Sequence, residues 1–277
     1  MAHPLMKFEG VRLQGMPCVL LTNTKGGSGK TSEVQAFAVA AAQAGYRVVI
    51  FDIDPNGSIS KWKKRRRMTF ALRVLKDQLK RYPTPDEVRL YLRDTPDPPD
   101  EIIVSPMQPH AMEDALELSQ RSGRTFAIID VAGAKHNFTD ELARFADVVL
   151  IPTRPSTKEM ENLGDVLAQL KMGGDPPRFI SFNRVHASTT SGLDPYREFV
   201  REAYNLLCLP IHFTRREGLF DKADDMGLGP QEVELDGPTK KEADAALRYL
   251  CEFMDFDTKT EAGKLRKELQ SHQQASA

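Results

Sequence analysis

The stretch Cys18-Val19-Leu20-Leu21-Thr22-Asn23-Thr24-Lys25-Gly26-Gly27-Ser28-Gly29-Lys30-Thr31 decides the architecture. It opens as a short apolar run of strand type and passes into a glycine-rich turn. Residues 31–44 follow, alanine-rich with helical spacing, and stop at Gly45. Gly26, Gly27 and Gly29 let the backbone take positive φ, so that successive N–H groups point at one spot. The N-terminus of the helix adds its partial positive charge at the same spot. Such a unit cradles phosphates. Ser28 and Ser32 complete it, Lys30 reaches the β- and γ-phosphates, and the Thr31 hydroxyl ligates Mg²⁺.

Outward from this unit, apolar runs at 48–51, 126–129, 148–151 and 179–182 are continuous rather than alternating. Runs of this kind suit strands buried on both faces of a parallel sheet. Helical patterns lie between them, at 156–172, after Asp194-Pro195, and at 239–254. The expected fold is therefore α/β: a P-loop NTPase with a mainly parallel twisted sheet and helices on both faces. The organisation expected is one domain over 1–277 with a core at about 17–255. Residues 58–104 read as an elaborated segment, with a helical stretch near 72–82 and a surface excursion at 83–101 that is partly helical at 86–93; 257–277 read as a flexible polar tail in which 260–269 stays open as a helix continuation.

Composition narrows the function classes. The 277 residues are ample for one sizeable core. Lys+Arg is 38 and Asp+Glu is 39, which excludes a uniformly basic nucleic-acid coat while leaving room for a local basic patch. No apolar run approaches the length of a membrane-spanning helix. Residues 1–10 lack the apolar centre of a signal peptide. The three cysteines, Cys18, Cys208 and Cys251, form no ligand spacing, which points to a cytoplasmic setting.

Two acidic positions stand at strand ends, where ligand chemistry collects in open α/β sheets. Asp52-Ile53-Asp54-Pro55 closes the second strand. Asp130 closes the run at 126–129, which is Walker B geometry: a buried strand delivers a carboxylate to the shell of a Mg²⁺ ion. The loop itself departs from the simplest Walker A pattern, because Thr24 stands where the first glycine is expected, and Lys25 comes as an extra lysine. Lys25-Gly26-Gly27-Ser28-Gly29-Lys30-Thr31 resembles the deviant Walker A motif of the ParA/MinD ATPases, and the resemblance covers roughly residues 17–255.

That resemblance implies ATP and Mg²⁺ as cofactors and an ATP-sandwich homodimer in which Lys25 crosses to the partner's phosphates. It implies that Asp54 orients or activates the attacking water, with Asp52 and Asp130 near the Mg²⁺ together with Thr31. Gly133 would sense the γ-phosphate through its N–H. Asn183 would read the adenine edge and Pro210 would line the base pocket. Asn56 and Ala132 replace the Gln and Pro usual in the family. The tryptophan and basic run after Asp54 resembles VirC-type proteins, and Arg216-Glu217-Gly218-Leu219-Phe220 resembles the MipZ branch.

Candidate DNA-phosphate contacts are Lys61, Lys63, Lys64 and Arg65 in the run around Trp62, then Arg197 and Arg201 four residues apart, then Arg215 and Arg216. No base-reading motif is present, so nonspecific DNA binding is expected. The function implied is that of a ParA-like ATPase, cytoplasmic and nucleoid-associated. It would position or segregate DNA cargo in partition or conjugative transfer, with a ParB-like or centromere-binding partner that stimulates hydrolysis. Two alternatives share the loop: a dethiobiotin synthetase-type ATP-dependent enzyme and a MinD-like membrane-cycling ATPase. The 258–277 tail is a poor membrane anchor, so no membrane partner is expected.

Overall fold

The computed structural model describes residues 16–95, 102–107, 111, 125–132, 139–170, 176–186, 192–216, 218–255 and 259–275. Seven strands form one sheet: β1 (Cys18–Leu21), β2 (Arg47–Asp52), β3 (Ile102–Pro106), β4 (Thr125–Asp130), β5 (Val148–Thr153), β6 (Arg178–Phe182) and β7 (Leu207–Cys208). Their order is β3-β2-β4-β1-β5-β6-β7, and every pairing is parallel. The continuous apolar runs are explained by two core layers. Val19, Leu21, Phe126, Ile128, Val148 and Leu150 face one layer, while Cys18, Leu20, Ala127, Ile129, Val149 and Ile151 face the other. Alternate residues point to opposite faces, and both faces are covered.

The helices are α1 (Lys30–Gln43), α2 (Ser58–Leu79), α3 (Pro85–Asp94), α4 (Thr139–Ala143), α5 (Thr157–Glu161), α6 (Leu163–Gln169), α7 (Asp194–Tyr204), α8 (Leu219–Asp225), α9 (Pro230–Val233), α10 (Pro238–Met254) and α11 (Glu261–Ala275). Helix α1 is buried on nearly every side from Val34 to Ala41, which its small alanines permit between the sheet and α10. No described helix is long and apolar enough to cross a membrane.

Local details add to or correct the expected organisation. Residues 58–104 are built into the fold. They hold α2, which buries Ile59 and Trp62 in the core, the capped helix α3, and the edge strand β3 on β2. The expected helix at 156–172 is broken at Asn162, whose amide turns onto the Lys158 carbonyl. The last strand is the short Leu207–Cys208. In the tail, α11 runs over Glu261–Ala275: Ala262 is buried, Leu265 and Leu269 pack on the core, and Arg266 lies over the Phe253 ring at 5.2 Å.

Candidate functional site

Strand register assembles the site. Leu21 pairs with Asp130, and Asp130 pairs with Asp52 on the other side. The chain therefore leaves β1 into its glycine loop beside two strand-terminal carboxylates. Gly29 (φ 97°) caps the N-terminus of α1 and Gly27 stands at φ 73°, conformations that an L side chain rarely adopts. Asn23 braces the loop from below: its amide donates to the Pro152 carbonyl at 2.7 Å, and its Oδ1 accepts from Lys25 N–H at 2.9 Å.

Lys30 is buried, and burial lowers its pKa while Asp130 and Asp54 pull the other way. Burial, then the charge of Asp52, push the Asp130 carboxyl up to about 8. Asp52 Oδ2 accepts from both the N–H (2.9 Å) and the hydroxyl (2.5 Å) of Ser60, whereas Oδ1 is buried with no partner. Crowded carboxylates and an orphaned acceptor fit a hard divalent cation. Among the described residues no ready-made group of three acidic, His or Cys ligands exists, so phosphate oxygens and water must complete such a shell. Asp54 is half-buried and holds a turn, accepting from Asn56 N–H at 2.8 Å. Gly133 lies outside the described residues.

Lys25 sits on the rim and pairs with Glu159 of its own chain at 2.9 Å. The cleft beside it, about 950 Å³, is bordered by Arg154, Lys158, Arg184, His186, Arg215 and Arg216. Arg154 donates to the Gly27 carbonyl at 2.5 Å. Arg184 carries φ 52°, and burial, then the Arg154 charge, lower its pKa. Gly29, Ser32, Glu33, Asn183, Arg184, Phe213 and Phe220 line a smaller pocket of about 30 Å³.

Asn183 and Pro210, the expected base-pocket residues, have partners within the chain. Asn183 is buried, and its amide donates to the Ser28 carbonyl (2.7 Å) and to Glu33 Oε1 (2.8 Å). Pro210 is exposed, does not line that small pocket, and accepts from Arg197 at 3.2 Å. Sequence reading missed Glu33, although an acid in the first turn of an otherwise apolar, alanine-rich helix was a visible signal.

The Glu33 carboxyl is pushed up to about 8 from 4.5, by burial above all, while the Asn183 amide pulls it down. The folded chain then keeps a proton that the unfolded chain releases, so stability falls as pH rises from about 4.5 to about 8 and levels off above. Glu33→Gln has no such proton. Its melting temperature is expected to drop several degrees less than the parent's between about pH 5 and about pH 8.5 in thermal melts. Equal drops would contradict the assignment.

The basic run is mostly turned inward, which corrects the expected DNA patch. Lys63 is buried on the Ile102 carbonyl. Arg65 pairs with Asp224 at 2.6 Å. Arg66 is buried on Glu232 at 2.5 Å and stacks on Trp62 and Phe70. Arg67 donates to the Leu92 and Thr95 carbonyls. Lys61 and Lys64 remain exposed. Arg216 is held by Glu242 (2.9 Å), Arg197 by Asp194 (3.2 Å), and Arg215 lies 3.1 Å from His186. Arg201 is exposed near Glu198.

Residues 19–216 match the CbiA family, described as the CobQ/CobB/MinD/ParA nucleotide binding domain. Among curated proteins, Protein ParA of Rhizobium radiobacter is 24% identical over 140 residues, half of each chain. Protein virC1 of the same organism is 25% identical over 138 residues, covering 50% of this chain and 49% of that protein. The chain thus spans about half the length of the curated relatives it matches. The MinD cell division protein of Aquifex aeolicus superposes with a TM-score of 0.59 at 17% identity, over 85% of this chain and 97% of that one. The fold, the glycine loop on β1 and the match over 19–216 agree: the chain belongs to the CobQ/CobB/MinD/ParA family of P-loop nucleotide-binding domains.

Proposed function

We propose that the chain is a ParA-type ATPase that binds ATP between two copies, holds DNA nonspecifically in that state, and releases it on hydrolysis to move DNA cargo. The observation that carries the reading is the pairing of two lysines on one loop. Lys30 is buried against the carboxylates, and Lys25 stands on the rim facing a cationic cleft. One lysine serves the chain's own phosphates. The ammonium of the other pairs with Glu159 and can be redirected to a second copy's nucleotide.

Mg²⁺ fits the set Thr31, Asp130 and the free oxygen of Asp52, where it would neutralise charge on the transferred phosphoryl group. Asp54 orients the water, and the loop N–H groups hold the phosphates in line. Phosphoryl transfer is mostly positioning and charge stabilisation, so this residue set is chemically sufficient. Lys61, Lys64 and Arg201 are exposed cations for DNA phosphates. The proposed setting is cytoplasmic and nucleoid-associated, with a ParB-like or centromere-binding protein stimulating turnover.

Binding to unrelated duplex DNA tests this, measured with ADP, with ATP, and with ATP on Lys25→Ala. ATP is expected to promote dimerisation and to raise DNA affinity about tenfold or more, in a salt-sensitive manner, and Lys25→Ala is expected to abolish the gain. DNA affinity independent of nucleotide and salt would sink the proposal.

A further inference from the structure

Asn183 ends β6, two strands out from β1, yet its side chain reaches under the glycine loop. An amide nitrogen carries two hydrogens. One goes to the Ser28 carbonyl and the other to Glu33 Oε1. The donor half that a purine edge needs is therefore already engaged. The contact is also close: a methyl group on Gly29 would run into the Asn183 amide. Ser28 C=O and Gly29 N–H belong to one planar trans peptide, so they point in opposite directions. Drawing the carbonyl down onto Asn183 turns the Gly29 N–H up, toward the phosphate position.

Glu33 decides which way the amide faces. Its Oε1 accepts from Asn183, which favours the orientation that puts hydrogens rather than oxygen against the Ser28 carbonyl. The remaining amide oxygen, Asn183 Oδ1, is buried with no partner among the described residues. An orphaned buried acceptor calls for an explanation beyond stability. We propose that Glu33 and Asn183 form a strut that sets the direction of the Ser28–Gly29 peptide and thereby the phosphate affinity of the loop. Both are positioning residues, acting on the ligand through the loop backbone. The inference rests on the nucleotide-binding reading and adds residues to it.

The test is calorimetry with ATP, GTP and inorganic tripolyphosphate on the parent chain and three variants, with circular dichroism and thermal melts to verify folding. Asn183→Asp sets an oxygen against the Ser28 carbonyl, and Glu33→Leu removes the acceptor that orients the amide. Each is expected to weaken all three ligands by a common factor of roughly tenfold or more, leaving the ATP-to-GTP ratio unchanged. Glu33→Gln keeps an acceptor and is expected to stay within about threefold of the parent. If Asn183→Asp does not fold, the contrast between Glu33→Leu and Glu33→Gln decides. A loss confined to ATP, with tripolyphosphate binding intact, would overturn the strut and return Asn183 to base reading. Unchanged affinity in the folded variants would overturn it as well. A parent chain that binds none of the three ligands would remove the nucleotide reading itself, and the strut with it.

Discussion

Lys30→Ala is expected to lose ATP binding by a factor on the order of a hundred to ten thousand. The lysine makes two charge-assisted hydrogen bonds to phosphate oxygens in the reading above, each worth roughly 1.5–3 kcal/mol. It also opposes the rise of the Asp130 pKa. Without it, Asp52, Asp54 and Asp130 face an incoming polyphosphate with no interior cation between them. Arg154 and Lys25 do not replace it, because they lie at the rim. Titration calorimetry with ATP measures the change. An affinity within tenfold of the parent's would contradict the role given to the loop.

Trp62→Ala is expected to destabilise the fold by about 3–5 kcal/mol, the range for large aromatic truncations in a core. Trp62 is fully buried beside Ile59, and its indole N–H donates to the Leu228 carbonyl at 3.0 Å. It also supports the stacked Arg66 guanidinium, itself paired with Glu232. Truncation therefore leaves a cavity, an unpaired carbonyl and a loosened buried ion pair together. Urea unfolding gives the value. A loss below about 1 kcal/mol would mean that the run faces solvent, as a DNA patch would require.

These two residues mark opposite limits of what a chain reveals. Lys30 was legible because its neighbours in sequence are its neighbours in space. A strand, three glycines, a lysine, a threonine and a helix start make a phosphate cradle by local backbone geometry. The buried strands were legible for a similar reason, since coverage on both faces leaves a continuous apolar run. Strand β3 escaped because it is a short edge strand, only partly buried after Ile102. The basic run at 61–67 was visible, but its direction was not. The groups that take Trp62, Arg65 and Arg66, namely Leu228, Asp224 and Glu232, stand about 160 residues away.

Amino-acid order alone determined the α/β class, the phosphate loop, the strand-end carboxylates and the family resemblance. Each depends on spacing along a few residues or on which faces of an element are apolar. Only the tertiary structure decided that Arg65 and Arg66 of α2 lock an internal joint, that Lys25 rests on Glu159, and that Asn183 lies beneath Ser28. Those pairings join segments 134 to 166 residues apart. Charge and periodicity mark a side chain as able to pair, and the sheet order then brings one particular partner within reach.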